Sequence, residues 1–101
     1  MKEIILSADG PCFLYSVPDV VAENLEKYVV MFFKWLQKSP DAKKYRRGRM
    51  LCYSESAFIE YLNTVLFPNE PSKMIRNLGW RDMRNKVQPY TEYKGIPVYH
   101  F

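Results

Sequence analysis

The pattern of apolar runs at the start of the chain predicts a β-hairpin. Two short apolar runs cover Glu3–Ala8 and Cys12–Val17, and Asp9-Gly10-Pro11 separates them. Asp-Gly is a strong turn signal because both residues tolerate a positive φ angle. We therefore expect the two runs to pair as antiparallel strands.

The period of the pattern then changes to that of a helix. Pro18 presets φ for a first helical turn, and Asp19 lies near the positive end of the helix dipole. Ser16 is a candidate cap. The apolar positions at helical spacing are Val21, Leu25, Tyr28, Val29, Phe32 and Leu36. Further apolar residues widen this stripe, at Val30, Met31, Phe33 and Trp35. Such a helix is either central and covered on two sides or partly exposed for a partner.

The long helix is expected to end near Lys38, because a residue before proline disfavours the helical conformation. Ser39-Pro40-Asp41 is compatible with a new short helix through Tyr45. Arg49–Tyr53 is predicted to be a strand. A second main helix begins at Ser54 and Glu55 and keeps its apolar period up to Pro68.

The last third of the chain gives weaker local signals. Ser72 is a candidate N-cap for a short helix over Lys73–Leu78, with Gly79 as the residue that follows it. Trp80–Val87 is compatible with a strand or one more helical turn. The tail, Tyr90–Phe101, alternates aromatic and polar residues around a Lys-Gly pair, which predicts a last strand or hairpin.

The order of these elements predicts an α+β fold: a small antiparallel sheet with two main helices packed on one face. The chain has 101 residues, of which 48% are hydrophobic. That length and composition fit a single domain over residues 1–101 with one real core.

Positive charge is concentrated in one segment. The formal net charge is +4, and five basic residues with no acid lie between positions 43 and 49: Lys43, Lys44, Arg46, Arg47 and Arg49. Tyr45 lies inside this run, and Trp80 lies near Arg81 and Arg84. Basic residues interleaved with aromatic ones suit phosphate contacts and base stacking. The alternatives are an acidic protein surface or an ordinary solvated loop.

Residues for catalysis or metal binding are sparse in the sequence. Cys12 and Cys52 stand alone in apolar or aromatic runs, so we expect free, buried thiols and a reducing compartment. His100 is the only histidine, and each glycine is isolated, so neither a catalytic dyad nor a phosphate loop can be assembled from a motif. We expect no enzyme activity, no metal and no cofactor.

Three stretches together carry a resemblance. They are Tyr15–Asp19 with Asn24-Leu25, Trp35–Arg46 around Ser39-Pro40-Asp41-Ala42, and Phe58–Asn63 with Asn77-Leu78-Gly79-Trp80. The combination resembles small proteins of phages and mobile elements of Firmicutes. Such compact proteins include anti-CRISPR and other counter-defence inhibitors. The resemblance implies an inhibitor, and it carries over no catalytic residue.

The expected function is therefore that of a non-catalytic binding protein in the cytoplasm of a bacterial host. It would bind a host defence nuclease, such as a CRISPR effector, and block nucleic-acid access. The alternative is a small basic regulator that binds nucleic acid directly. No membrane or small-molecule substrate is expected. The predicted partner-binding residues are Lys43, Lys44, Tyr45, Arg46, Arg47, Arg49, Trp80, Arg81 and Arg84. Neutralising the five basic residues of positions 43–49 together is expected to impair binding and leave the fold intact.

Overall fold

The computed structural model describes residues 1–8, 11–79 and 95–101. The predicted Asp9-Gly10 turn, the Trp80–Val87 segment and the first part of the tail lie outside the described residues. The strands are β1 (Lys2–Ser7), β2 (Cys12–Val17), β3 (Arg46–Arg47), β4 (Met50–Leu51), β5 (Lys73–Gly79) and β6 (Val98–His100). The helices are α1 (Asp19–Glu23), α2 (Leu25–Lys38) and α3 (Glu55–Tyr61), with a 3₁₀ helix (Pro40–Tyr45) and a π-helical turn (Leu62–Leu66).

Four strands form the main sheet in the order β5-β2-β1-β6. The β1 and β2 strands are antiparallel, with a register that runs from Lys2 opposite Val17 to Ser7 opposite Cys12. This confirms the two predicted hairpin strands. The last strand, β6, pairs with β1 in parallel, so the sheet is mixed although mostly antiparallel. With helices packed against this sheet, the predicted α+β class is confirmed.

The alternation of side chains along β1 and β2 divides the apolar residues between two clusters. Ile4 and Leu6 of β1 join Tyr15 and Val17 of β2 in the large cluster that includes the helices. The intervening residues of these two strands belong to a smaller cluster, formed by Ile5, Cys12, Leu14 and Leu78. Because side chains alternate between faces of a sheet, the helices lie on one face and the small cluster on the other.

The predicted long helix is broken at one residue, Asn24. Its φ of −135° and ψ of 44° are not helical, and its side-chain amide donates a hydrogen bond to the carbonyl of Val20 at 3.0 Å. A short polar side chain that bonds the backbone locally competes with the helix in this way. The predicted stripe nevertheless continues across the break, since Val21, Leu25, Val29, Phe32 and Leu36 are all buried. The predicted buried stripe is therefore confirmed, whereas the residues that widen it are half-buried or, at Val30, 53% exposed.

The predicted helix over Lys73–Leu78 is wrong, because this segment is strand β5 and pairs antiparallel with β2. Ser72 does not cap a helix. Its backbone N–H donates to Oδ1 of Asn63 at 2.6 Å, and its carbonyl accepts from Nδ2 of Asn63 at 3.1 Å. The amide of Asn63 thus pairs with the backbone just before β5 and guides the chain onto the sheet edge.

Two further predictions are corrected in the middle of the chain. The strand expected over Arg49–Tyr53 is limited to Met50–Leu51, which pairs with Arg46–Arg47. Cys52 is exposed, whereas Cys12 is buried as expected, and both thiols are free. Cys52 follows directly after the short ladder of β3 and β4, where the chain leaves the hairpin for α3.

Replacing Asn63 by alanine is expected to lower the free energy of unfolding by about 1–3 kcal/mol. The change removes the hydrogen-bond partners that Asn63 provides for the N–H and the carbonyl of Ser72. Ser72 is only 4% exposed, so water cannot easily replace them. Chemical denaturation of the variant beside the parent protein measures this loss. Asn69 is exposed and provides the matched control for Asn→Ala. Equal effects at the two positions would contradict a role of Asn63 in positioning β5.

Stability is expected to fall at high pH because of Tyr15. Burial, with a smaller contribution from the charge of Glu55, raises the pKa of Tyr15 from 10.0 to about 12. The folded state thus disfavours the ionised form, so its stability is complete below pH 10 and declines as the pH rises towards 12. Chemical denaturation between pH 9 and 11 measures this slope, and Tyr15→Phe should make it shallower, with the remainder due to Tyr61, whose pKa burial also raises. Tyr99→Phe is the control, and an unchanged slope in Tyr15→Phe would contradict the assignment.

Candidate functional site

The five basic residues of positions 43–49 lie on the 3₁₀ helix and on the short hairpin of β3 and β4. We call residues 43–51, from the last turn of the 3₁₀ helix through β4, the basic hairpin. Ser39 Oγ accepts a hydrogen bond from the N–H of Asp41 at 3.2 Å, which begins the 3₁₀ helix as predicted. At the other end, the N–H of Cys52 donates to the carbonyl of Tyr45 at 2.7 Å and closes the hairpin. Gly48 occupies the turn with a φ of 61°, a conformation that favours glycine.

Two residues of the 3₁₀ helix bind the carboxylate of Glu60 on α3. Lys44 forms an ion pair with Glu60, and the hydroxyl of Tyr45 donates a hydrogen bond to the other carboxylate oxygen. The Tyr45 ring is half-buried and contacts Trp35 of α2, with 6.2 Å between ring centroids. Lys44 and Tyr45 therefore fasten the segment to the helical layer.

Arg46 forms a second attachment. Its guanidinium donates a hydrogen bond at 3.1 Å to the carbonyl of Leu36, in the last turn of α2. The last carbonyls of a helix have no hydrogen-bond donor within the helix, and they lie at the negative end of its dipole. The guanidinium supplies both a donor and a positive charge at this position. Arg46 is half-buried, and its hydrogen bond to Leu36 contributes to the stability of the fold.

The other three basic residues are Lys43, Arg47 and Arg49, and all three are exposed. Within the described ranges, the structure gives none of their side chains a hydrogen bond or an ion pair. Met50 follows Arg49 and is 69% exposed. The outer surface of the segment thus combines three charges available to a partner with one large apolar side chain.

Sequence reasoning found the basic segment but grouped its members without distinguishing them. The structure separates Lys44, Tyr45 and Arg46, which bind Glu60 or Leu36, from Lys43, Arg47 and Arg49, which face solvent. The structure also places Met50 on this exposed surface, which the sequence analysis did not predict. The turn at Gly48, just before Met50, was the feature of the sequence that could have indicated it. The predicted binding residues Trp80, Arg81 and Arg84 lie outside the described residues.

The described residues contain no group of three histidine, cysteine or acidic side chains placed to hold a metal ion. His100 is exposed on β6, Cys12 lies on β2, and Cys52 lies in the segment between β4 and α3. In this part of the chain no helix has the length and apolar character needed to cross a membrane.

The fold and this surface define a small α+β protein with an anchored basic hairpin. The chain matches no protein-family model, no curated protein and no solved structure.

Proposed function

We propose that the protein is a non-catalytic binding protein whose basic hairpin contacts a negatively charged surface of another protein. The observation that carries this proposal is the division of the basic segment into anchored and exposed residues. Lys43, Arg47 and Arg49 offer three positive charges on a support that Glu60 and Leu36 hold in place.

Anchoring favours binding because a surface that is already ordered loses less conformational freedom when a partner arrives. The ladder of β3 and β4 and the Tyr45–Glu60 hydrogen bond supply that order. Arginine suits an acidic partner, since its planar guanidinium can bind a carboxylate through two parallel hydrogen bonds. Met50 adds apolar area beside these charges.

The finer proposal is that the partner is a bacterial defence nuclease, such as a CRISPR effector, and that the protein is a phage or mobile-element inhibitor. The resemblance described above supports this choice of partner. Metal-dependent nucleases hold their ions with carboxylates beside the path of the nucleic acid. A basic hairpin placed on such carboxylates would block the access of nucleic acid without any chemistry of its own.

The second candidate is a regulator that binds nucleic acid directly, and the exposed Arg47 and Arg49 suit phosphate contacts as well. The aromatic part of that hypothesis has less support. The Tyr45 ring contacts Trp35 and its hydroxyl is bonded to Glu60, so the basic hairpin presents no free aromatic face for base stacking. This geometry favours a protein partner.

A cleavage assay tests the proposal. Purified protein is added to defence nucleases from the same host, and we expect a stoichiometric complex in size-exclusion chromatography together with protection of the nucleic-acid target. A gel shift with the target alone, over a series of salt concentrations, tests the alternative. Binding to nucleic acid without any nuclease, weakening steeply as salt rises, would favour the regulator. Protection without such a shift would favour the inhibitor.

A further inference from the structure

The ladder of β3 and β4 divides the side chains of the basic hairpin between two faces. Arg47 lies directly opposite Met50 in this ladder. The next pair is Arg46 opposite Leu51. Side chains that lie opposite each other across an antiparallel ladder share a face, and neighbours along a strand alternate between faces. Arg47 and Met50 therefore share one face of the hairpin, and the second pair shares the other.

The face with Arg46 and Leu51 packs on the rest of the protein. Leu51 is half-buried against the large core cluster, and Arg46 donates its hydrogen bond to the carbonyl of Leu36. The same side of the chain stays inward after β4, since Tyr53 is half-buried and its ring lies 5.8 Å from that of Phe32, centroid to centroid. These contacts fix the orientation of the hairpin on the helical layer.

The opposite face is exposed to solvent. Met50 is 69% exposed, and Arg47 and Cys52 are exposed as well. We call these three residues the outer face. Arg49 is exposed beside them, in the turn that follows Arg47. No acid lies between positions 42 and 54, so every charged side chain of this stretch is positive.

A two-residue turn holds Arg47 and Met50 side by side. Gly48, its first residue, has a φ of 61°, whereas Arg49, its second residue, has no positive φ. This is the pattern of a type II′ turn, whose twist matches that of the strands it joins. The Cβ atoms of directly opposite residues are about 4.5–5.5 Å apart in such a ladder. The hairpin thus presents a positive group and an apolar group to the same patch of a partner.

This combination favours a protein as the occupant of the outer face. A phosphate backbone can bind Arg47 but offers no apolar cover for Met50. A single methionine buries too little hydrocarbon to hold a protein on a lipid surface. Two outer faces from two copies of this chain would bring their arginines together without an acid. An apolar pocket with a carboxylate at its rim suits both groups, because the flexible thioether of methionine adapts to such pockets.

We propose that Met50 enters an apolar pocket of the partner protein and that Arg47 binds a carboxylate at the rim of that pocket. The inference rests on the function proposed above, and it adds a specificity-determining residue to the same site. An acidic surface without the pocket would bind weakly. Charges at the edge of an interface act mainly on the rate of association, whereas most affinity differences within one interface lie in the rate of dissociation. The contact of Met50 therefore determines how long the complex lasts.

The test compares Met50→Gln with the parent protein by surface plasmon resonance, against the nuclease that forms a complex in the cleavage assay. Glutamine has nearly the length of methionine and leaves the net charge unchanged. We expect the affinity to fall about tenfold through faster dissociation, by the same factor at low and high salt. Met50→Leu should stay within about threefold of the parent. Met74→Gln, the same substitution at a position that is 55% exposed on β5, should leave the affinity unchanged.

The thiol of Cys52 provides a second measurement on the parent protein. Iodoacetamide should alkylate Cys52 in the free protein, because this residue of the outer face is exposed. In the complex Cys52 should lose that reactivity, as mass spectrometry of its peptide can show. Cys12 is buried and should stay unmodified in both states.

The outcomes separate this inference from the proposed function. If Met50→Gln leaves the affinity unchanged although replacement of the exposed basic residues lowers it, the inference is wrong and the proposed function stands. A Cys52 thiol that stays reactive in the complex has the same meaning. Protection of Cys52 by nucleic acid alone would assign the outer face to phosphate contacts and overturn the inference as well. If no nuclease forms a complex, the proposed function fails and the inference fails with it.

Discussion

Replacing Phe32 by alanine is expected to lower the free energy of unfolding by about 3–5 kcal/mol. Phe32 is fully buried in α2, and among the described residues six other rings lie 5.4 to 6.2 Å from its own, centroid to centroid. These belong to Phe33, Trp35, Tyr53, Phe58, Tyr61 and Phe101. Because neighbours from several elements surround the site, they cannot all move inward to fill the cavity. A domain of this size has a free energy of unfolding of only about 5–15 kcal/mol in total. The variant should therefore unfold at a much lower urea concentration than the parent protein.

Two further variants at the helix provide the comparison. Phe32→Leu retains most of the apolar volume and should cost about 1–2 kcal/mol. Val30→Ala lies on the same helix at a position that is 53% exposed and should change stability by less than about 0.5 kcal/mol. Urea denaturation followed by circular dichroism measures all three. A Phe32→Ala variant as stable as Val30→Ala would mean that Phe32 does not hold the aromatic cluster together.

Replacing Lys43, Arg47 and Arg49 together by glutamine is expected to weaken partner binding by about 30- to 100-fold. This corresponds to roughly 2–3 kcal/mol, the loss expected when charge-assisted hydrogen bonds to a partner disappear. The three side chains face solvent without a described partner, so the melting temperature should stay close to that of the parent protein. Titration against the nuclease from the cleavage assay measures binding, and the loss should shrink as salt rises.

The matched control removes the same kind of charge from another exposed surface. Lys34 and Lys38 on α2 are exposed, and their replacement by glutamine should leave the affinity within about twofold. Arg46→Met gives the opposite pattern, since it removes the bond to Leu36 and should destabilise the fold by about 1 kcal/mol. Unchanged affinity in the triple variant with an intact melt would mean that the basic hairpin is only a solvated surface.

This division revises what the sequence predicts for the five basic residues. Replacing all five was expected to leave the fold intact, but Lys44 binds Glu60 and Arg46 binds Leu36. These partners are 16 and 10 residues away along the chain. A run of like charges shows where positive charge accumulates, but it cannot show which members find a partner from another element.

Local sequence patterns correctly predicted those elements that depend on interactions between residues close together in the chain. The two strands β1 and β2 follow from two short apolar runs on either side of a turn signal, and the stripe from Val21 to Leu36 follows from the helical period. Ser39 begins the 3₁₀ helix because its hydroxyl reaches the N–H two residues later. Each of these features depends on residues that are neighbours in the sequence.

Tertiary structure decided the remaining features, and β5 shows the reason. Ser72 and Gly79 are residues that begin and end helices, and Gly79 does have a positive φ of 75°. The segment between them is nevertheless a strand, because the β2 edge offers it a ladder and the Asn63 amide holds Ser72 beside it. The sequence by itself determined the α+β class, the hairpin strands and the location of the basic segment. Packing between distant residues determined the β5 edge, the parallel pairing of β6 with β1 and the three charges that face solvent, because long-range contacts outweigh weak local propensity.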